Sequence, residues 1–130
     1  MEILQPPNWP QPKGYSNGIV ARGNMVFLAG IVGWNEKEKF ENKDFAGQAR
    51  QAIRNIVTLL DEAGARPEHI VRMTWYLVDL DEYMASMKEL GQIYQQEIGK
   101  VFPAMTGIKV AGLVEKEARL EIEVTAVIPD

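Results

Sequence analysis

The sequence predicts an α+β fold of order ββαβαββ, in which one mixed sheet buries a single face under two helices as a two-layer sandwich. Three observations carry this expectation. An apolar stripe recurs at 3/4 spacing from Ala49 to Ala63, and strict period-2 alternation runs from Ile70 to Val78 and again from Arg119 to Val127. The chain has 130 residues, 46% of them hydrophobic, which is enough for one core and too short for two ordinary domains. One domain spanning 1–130 is therefore expected, with residues 1–13 as an extended arm.

The elements follow in order. Pro6, Pro7, Pro10 and Pro12 fix φ and remove donors, so the arm is expected to be extended, with Trp9 as its docking point. Gly18 to Ala21 and Met25 to Gly30 flank Arg22-Gly23-Asn24, and a Gly-Asn pair between apolar runs reads as a hairpin. Asn35 to Lys43 is charged and without period, an exposed loop whose role the sequence does not reveal. Asp44 is placed to cap a helix whose buried stripe is Ala49, Ala52, Ile53, Ile56, Val57, Leu60 and Ala63. Gly64 suits a left-handed C-cap, and Pro67 prevents continuation. In the strand that follows, Val71, Met73, Trp75 and Leu77 alternate with Arg72, Thr74 and Tyr76. A second helix aligns Tyr83, Met87, Leu90 and Tyr94 on one stripe. Two strands close the chain, around Gly107 to Ala111 and from Arg119 to Val127, the last with Leu120, Ile122, Val124 and Ala126 on one face. Its other face, with Thr125 and the neighbouring Tyr76, is neither fully apolar nor solvent-like, which points to burial in an oligomer.

Composition narrows the function classes. Lys and Arg number 14 against 18 Asp and Glu, a net charge of -4 with no basic block, so nucleic acid is not an expected partner. Without cysteine there is no disulfide framework, thiol nucleophile or Cys-ligated metal. No leader pattern or long apolar run occurs, so a cytoplasmic location and no membrane partner are expected. Walker A, dinucleotide-binding glycines, H-E-x-x-H and zinc-ligand spacings are all missing, and neither a cofactor nor a metal is expected. His69, the single histidine, lies in a turn between Glu68 and Ile70 and reads as a surface or capping residue.

Tyr15-Ser16, Val26-Phe27-Leu28-Ala29-Gly30, Gln48 to Asn55, Glu62-Ala63-Gly64, Phe102-Pro103-Ala104-Met105-Thr106 and Leu120-Glu121-Ile122-Glu123 occur in this order along the chain. From about Pro12 to Ile128 that order resembles the Rid (reactive intermediate deaminase, RidA/YjgF-like) family. The resemblance implies a chorismate-mutase-like, YjgF-like fold packed as a homotrimer, with small-molecule clefts between subunits. It also implies hydrolysis of a small imine or enamine with release of ammonia. Glu121 stands where the family has a Glu beside its water, and Tyr15 stands at the pocket wall. These two are the candidate catalytic residues. Read without the family, Glu121 and Glu123 are simply two carboxylates on one strand face, with Cβ atoms about 7 Å apart, and Tyr15 is a packing residue.

The candidate ligand-binding residues are Ala29, Gly30, Met87, Met105 and Thr106, with backbone groups near Gly30 and Thr106 holding polar atoms. Several depart from the family's pattern. After Pro-Ala the family typically has an Arg, whose planar fork binds a substrate carboxylate through two charge-assisted hydrogen bonds. Met105 cannot do this. Loss of one partner of a buried charge pair costs about 2 to 5 kcal/mol, or roughly 30-fold to several thousand-fold in affinity. Lys109 shares strand parity with Met105, but four residues along a strand is about 13 Å, too far for a direct replacement. Ala29-Gly30-Ile31 stands where many members have Ser-Gly-Gln, and Met87 stands four residues after Tyr83 where the family often has Asn. Two readings follow, an imine hydrolase retuned for a ligand that is uncharged or more apolar, and a non-catalytic binding module. RNA cleavage, attributed to some relatives, fits the acidic balance least.

Overall fold

A computed structural model describes residues 1–130. Its main sheet has four strands in the order β3-β6-β4-β5, formed by Asn24–Phe27 (β3), Ile70–Leu77 (β4), Ala104–Lys109 (β5) and Leu120–Ile128 (β6). β6 runs antiparallel to both neighbours, while β4 and β5 are parallel, so the sheet is mixed. One face is covered by α1 (Phe45–Glu62) and by α3 (Met87–Glu97), which follows the short α2 (Leu80–Ala85). The two-layer α+β architecture is the one the periodicities predict.

α1 forms for the expected reasons. The Asp44 carboxylate accepts the Gly47 N–H at 2.9 Å, and Ala49, Ala52, Ile53, Ile56 and Leu60 are fully buried. Gly64 takes φ 75° and the Ala65 N–H reaches back to the Leu60 carbonyl, closing the C-terminus with a glycine cap. The helix turns away one residue earlier than its stripe suggests, so Ala65 is buried and Ala63 is exposed. Gln48 is a polar member of the buried face. Its amide donates to the carbonyls of Asn42 (3.1 Å) and Glu117 (3.0 Å), and its oxygen accepts the Arg119 N–H at 2.7 Å.

Five expectations need correction. Gly18–Val20 (β2) does not form a hairpin with β3; it pairs with Glu2–Leu4 (β1) in a separate two-stranded ribbon, and β3 pairs with β6. The glycine signal at Gly23 has another cause, since Gly23 adopts φ 144° and a Cβ there would overlap the Ile128 carbonyl. Trp9 is 58% exposed and takes no part in the core; its backbone N–H donates to the Pro6 carbonyl in a turn. The second helix is broken at Ser86, whose hydroxyl donates back to the Glu82 carbonyl at 2.8 Å and competes with the helical ladder. In β4 the register shifts between Ile70 and Arg72, and the irregularity buries Ile70 in place of Val71. β5 also begins earlier than expected, at Ala104.

α1 and α3 are tied at their outer faces. Glu97 accepts from Arg50 at 2.7 Å and from Arg54 at 3.1 Å, and the Arg54 hydrogen bond, joined by that of Arg50, holds its carboxyl below the usual carboxylate range. No helix covers the other face of the sheet, where the β1–β2 ribbon shares a hollow with Met25, Phe27 and Thr125. Phe27 is 70% exposed and Met25 58%, beside Tyr76, Glu121, Glu123 and Thr125.

Candidate functional site

β3 ends at Phe27 opposite Thr125, and the chain returns to β6 at Ile31 opposite Ile122. One extra residue thus lies on the first strand between these two pairings, the count of a β-bulge. Ala29 and Gly30 occupy it. Gly30 lies directly against the Glu121 carboxylate, and a side chain there would overlap it. Opposite Glu121 on β4 is Tyr76, whose hydroxyl donates to the next carboxylate, Glu123, at 3.1 Å. That bond raises the phenol above its ordinary range. Ala29, Gly30 and Glu121 therefore form one group, at the edge of the uncovered sheet face. Thr106, opposite Thr74, lies on the same face two strands away.

Tyr15, Met87 and Met105 form a second group. β5 puts Met105 opposite Met73 on the helix-covered face, and Ser16 bridges to Ala104, which brings Tyr15 alongside. The break at Ser86 sets Met87 at the start of α3. The three side chains share the wall of a cavity of about 370 Å³ with Trp75, Tyr83, Leu90, Tyr94 and Phe102. Burial raises the phenols of Tyr83 and Tyr94, and the Tyr94 hydroxyl donates to the Val101 carbonyl at 2.7 Å. Lys13 is the one cation in the wall and is exposed, whereas Lys109 takes no part.

The two groups do not meet within one chain. Glu121 pairs with Tyr76 and its neighbour Ile122 with Trp75, so the carboxylate and the cavity lie on opposite faces of the sheet. A second hollow of about 550 Å³, between Trp34 to Glu38 and α1, has Gly30 in its wall together with Gln51, Arg54 and Asn55. The loop is held there by Asn55, whose amide donates to the carbonyls of Val32 and Trp34. No three His, Asp or Glu side chains converge on a point where a metal ion would sit.

Sequence reasoning missed Trp75, Tyr83, Tyr94, Phe102 and Lys13 as cavity residues. The signal for Tyr83 and Tyr94 was present in the stripe they share with Met87, but such spacing describes a core face equally well. Trp75 had only its strand parity, and Lys13 and Phe102 are placed by long-range contacts.

A two-layer α+β chain with a side cavity at the β5 edge of a β3-β6-β4-β5 sheet is a recognisable class of small protein. The family described as Endoribonuclease L-PSP matches residues 8–128. A RutC family protein of Aquifex aeolicus is 32% identical over 98% of this chain and 99% of its own length. The 2-iminobutanoate/2-iminopropanoate deaminase of Escherichia coli K12 is 32% identical over 81% of this chain and 80% of its own length. Among solved structures, a Rid-family protein of Yersinia pestis superposes with TM-score 0.81 at 28% identity, covering 98% of both chains. The chain belongs to the Rid (YjgF/RutC-like) family.

Proposed function

We infer that this chain hydrolyses a reactive imine or enamine that lacks a carboxylate, releasing ammonia. One observation carries the reading: Met105 and Met87, standing where the family's Arg and Asn are expected, come together with Tyr15 in a single apolar-walled cavity. The similarity to the E. coli deaminase supports the reaction type, and the thioether at position 105 argues against the small 2-imino acids its name specifies. In the step envisaged, water adds to the C=N carbon while Glu121 takes one of its protons and passes it to the nitrogen; the new hydroxyl then yields its proton to the amine as the C–N bond breaks, so the nitrogen leaves as ammonia and the carbon keeps the oxygen as a carbonyl.

Because Glu121 and the cavity lie on opposite faces of one chain, this chemistry requires a second copy to bring them together. A homotrimer with intersubunit clefts, as the family resemblance implies, would do so. It would also cover the apolar Met25 and Phe27, an exposed pair of the kind that marks an interaction surface. Phe27→Glu is expected to convert the assembly to monomer, read as molar mass by light scattering. A wild-type chain that already runs as a monomer would end the trimer reading.

The function itself is tested by ammonia release above the spontaneous rate from the ketimine of acetophenone, generated in situ. Glu121→Ala is expected to reduce the enzymatic part by about 100-fold, within the range that one acid–base group contributes. Absence of any release from this ketimine and from 2-iminopropanoate at high protein concentration would leave the second reading, a non-catalytic binding module. The separation of Glu121 from the cavity within one chain is the observation that favours that alternative.

A further inference from the structure

Three glycines lie in the wall of the apolar cavity, and two of them are explained by their own backbones. Gly14 and Gly99 adopt φ 82° and 96°, the left-handed region that a side chain disfavours. Gly91 has no such reason, for it lies inside α3, where glycine is the poorest residue after proline. Crowding does not explain it either. A Cβ on Gly47, the other glycine within a helix, would stand 2.8 Å from Asn42 and from the Asp44 carboxylate, whereas a Cβ on Gly91 would meet no atom within 4 Å. Met87, Gly91 and Gln95 recur at four-residue spacing and all border the cavity, so a side chain at position 91 would point into the space that Met87 and Gln95 flank. Gly91 is exposed, and a guest reaches it without rearrangement of the chain.

We propose that Gly91 is the specificity-determining position of this cavity: its missing side chain leaves bare helix backbone against which a flat, uncharged aromatic ring lies. The rest of the wall suits that guest. Tyr15, Tyr83 and Phe102 offer ring faces and edges, and the unbranched thioethers of Met87 and Met105 adjust their rotamers to its outline. No carboxylate stands in the wall to hold a cation, and the exposed Lys13, as a solvated ammonium, adds little to the binding of an anion. The proposal rests on the reading above only in taking the cavity as the ligand site, and deepens it by naming the shape of the ligand and the position that admits it.

Equilibrium binding to the full-length chain tests this without turnover, with acetophenone and cyclohexyl methyl ketone as probes. Both are uncharged methyl ketones, and one ring is flat where the other is puckered. The wild type is expected to bind acetophenone about fivefold more tightly, the ratio given by one aromatic contact at ~1.4 kcal/mol per decade. Gly91→Ala should raise the melting temperature by about 4 °C, because alanine favours the helix. It should nonetheless weaken acetophenone by about fivefold or more, because the methyl group overfills the space left for the ring. Gly91→Leu should abolish the binding, and Gln92→Ala, on the same helix but outside the cavity, should leave both affinities as they are. Equal affinities of the two probes in the wild type, binding of neither, or an acetophenone affinity that survives both Gly91 variants would overturn the proposal. A melting temperature that falls in Gly91→Ala would also overturn it, as would a molar mass by light scattering that changes in that variant, since glycine would then serve packing within the chain or between copies. Ammonia release is measured separately. A chain that binds as described but releases none loses its catalytic reading and keeps its ligand class; one that turns over the acetophenone ketimine with an unchanged KM in Gly91→Leu keeps its reaction and loses this position.

Discussion

Met105→Arg is expected to raise kcat/KM for 2-iminopropanoate by roughly 30-fold or more, since restoring a fork for the substrate carboxylate is worth about 2 to 5 kcal/mol when the pair is desolvated. The position favours the gain. β5 already directs residue 105 into the cavity beside Tyr15, and the unbranched Met side chain it replaces reaches a comparable depth. The same change should lower ammonia release from the acetophenone ketimine, because a guanidinium brought into an apolar wall without a counter-charge must be desolvated. A variant with the wild-type melting temperature and no gain on the 2-imino acid would show that the rest of the site is not a competent deaminase. The binding-module reading would then stand.

Gln48→Leu is expected to cost about 3 kcal/mol of unfolding free energy, or about 10 °C in melting temperature for a chain of this size. Gln48 is 1% exposed, and its one amide satisfies the carbonyls of Asn42 and Glu117 and the N–H of Arg119. Leucine fills the volume and leaves three backbone groups unpaired, the asymmetry that makes a lost partner dearer than a bond never made. The comparison belongs at a single protein concentration, because assembly shifts apparent stability. A loss under about 1 kcal/mol would mean that water replaces the amide. Gln48 also fastens the loop before α1 to the segment before β6.

The helices and the central strands were legible because their signals are local. Asp44, the stripe from Ala49 to Leu60 and Gly64 settle α1 within its own residues, and the alternation Leu120, Ile122, Val124, Ala126 settles which side of β6 is buried. Strand partners are not local. Arg22-Gly23-Asn24 has the chemistry of a hairpin turn, but Gly23 is required by the backbone of Ile128, near the other end of the chain. The break at Ser86 likewise depends on a hydroxyl choosing a carbonyl over solvent, a choice residue type alone does not dictate.

The candidate site divides along the same line. Residue identity by itself determined that position 105 carries no charge, that the chain contains no thiol, and that Glu121 and Glu123 share a strand face. Only the tertiary structure decided that Tyr15, Met87 and Met105 line one cavity, and that Gly30 and Glu121 lie across the sheet from it. The physical reason is that chemistry belongs to the side chain, whereas proximity and desolvation belong to the register of β4, β5 and β6, which is set by packing summed over the whole core.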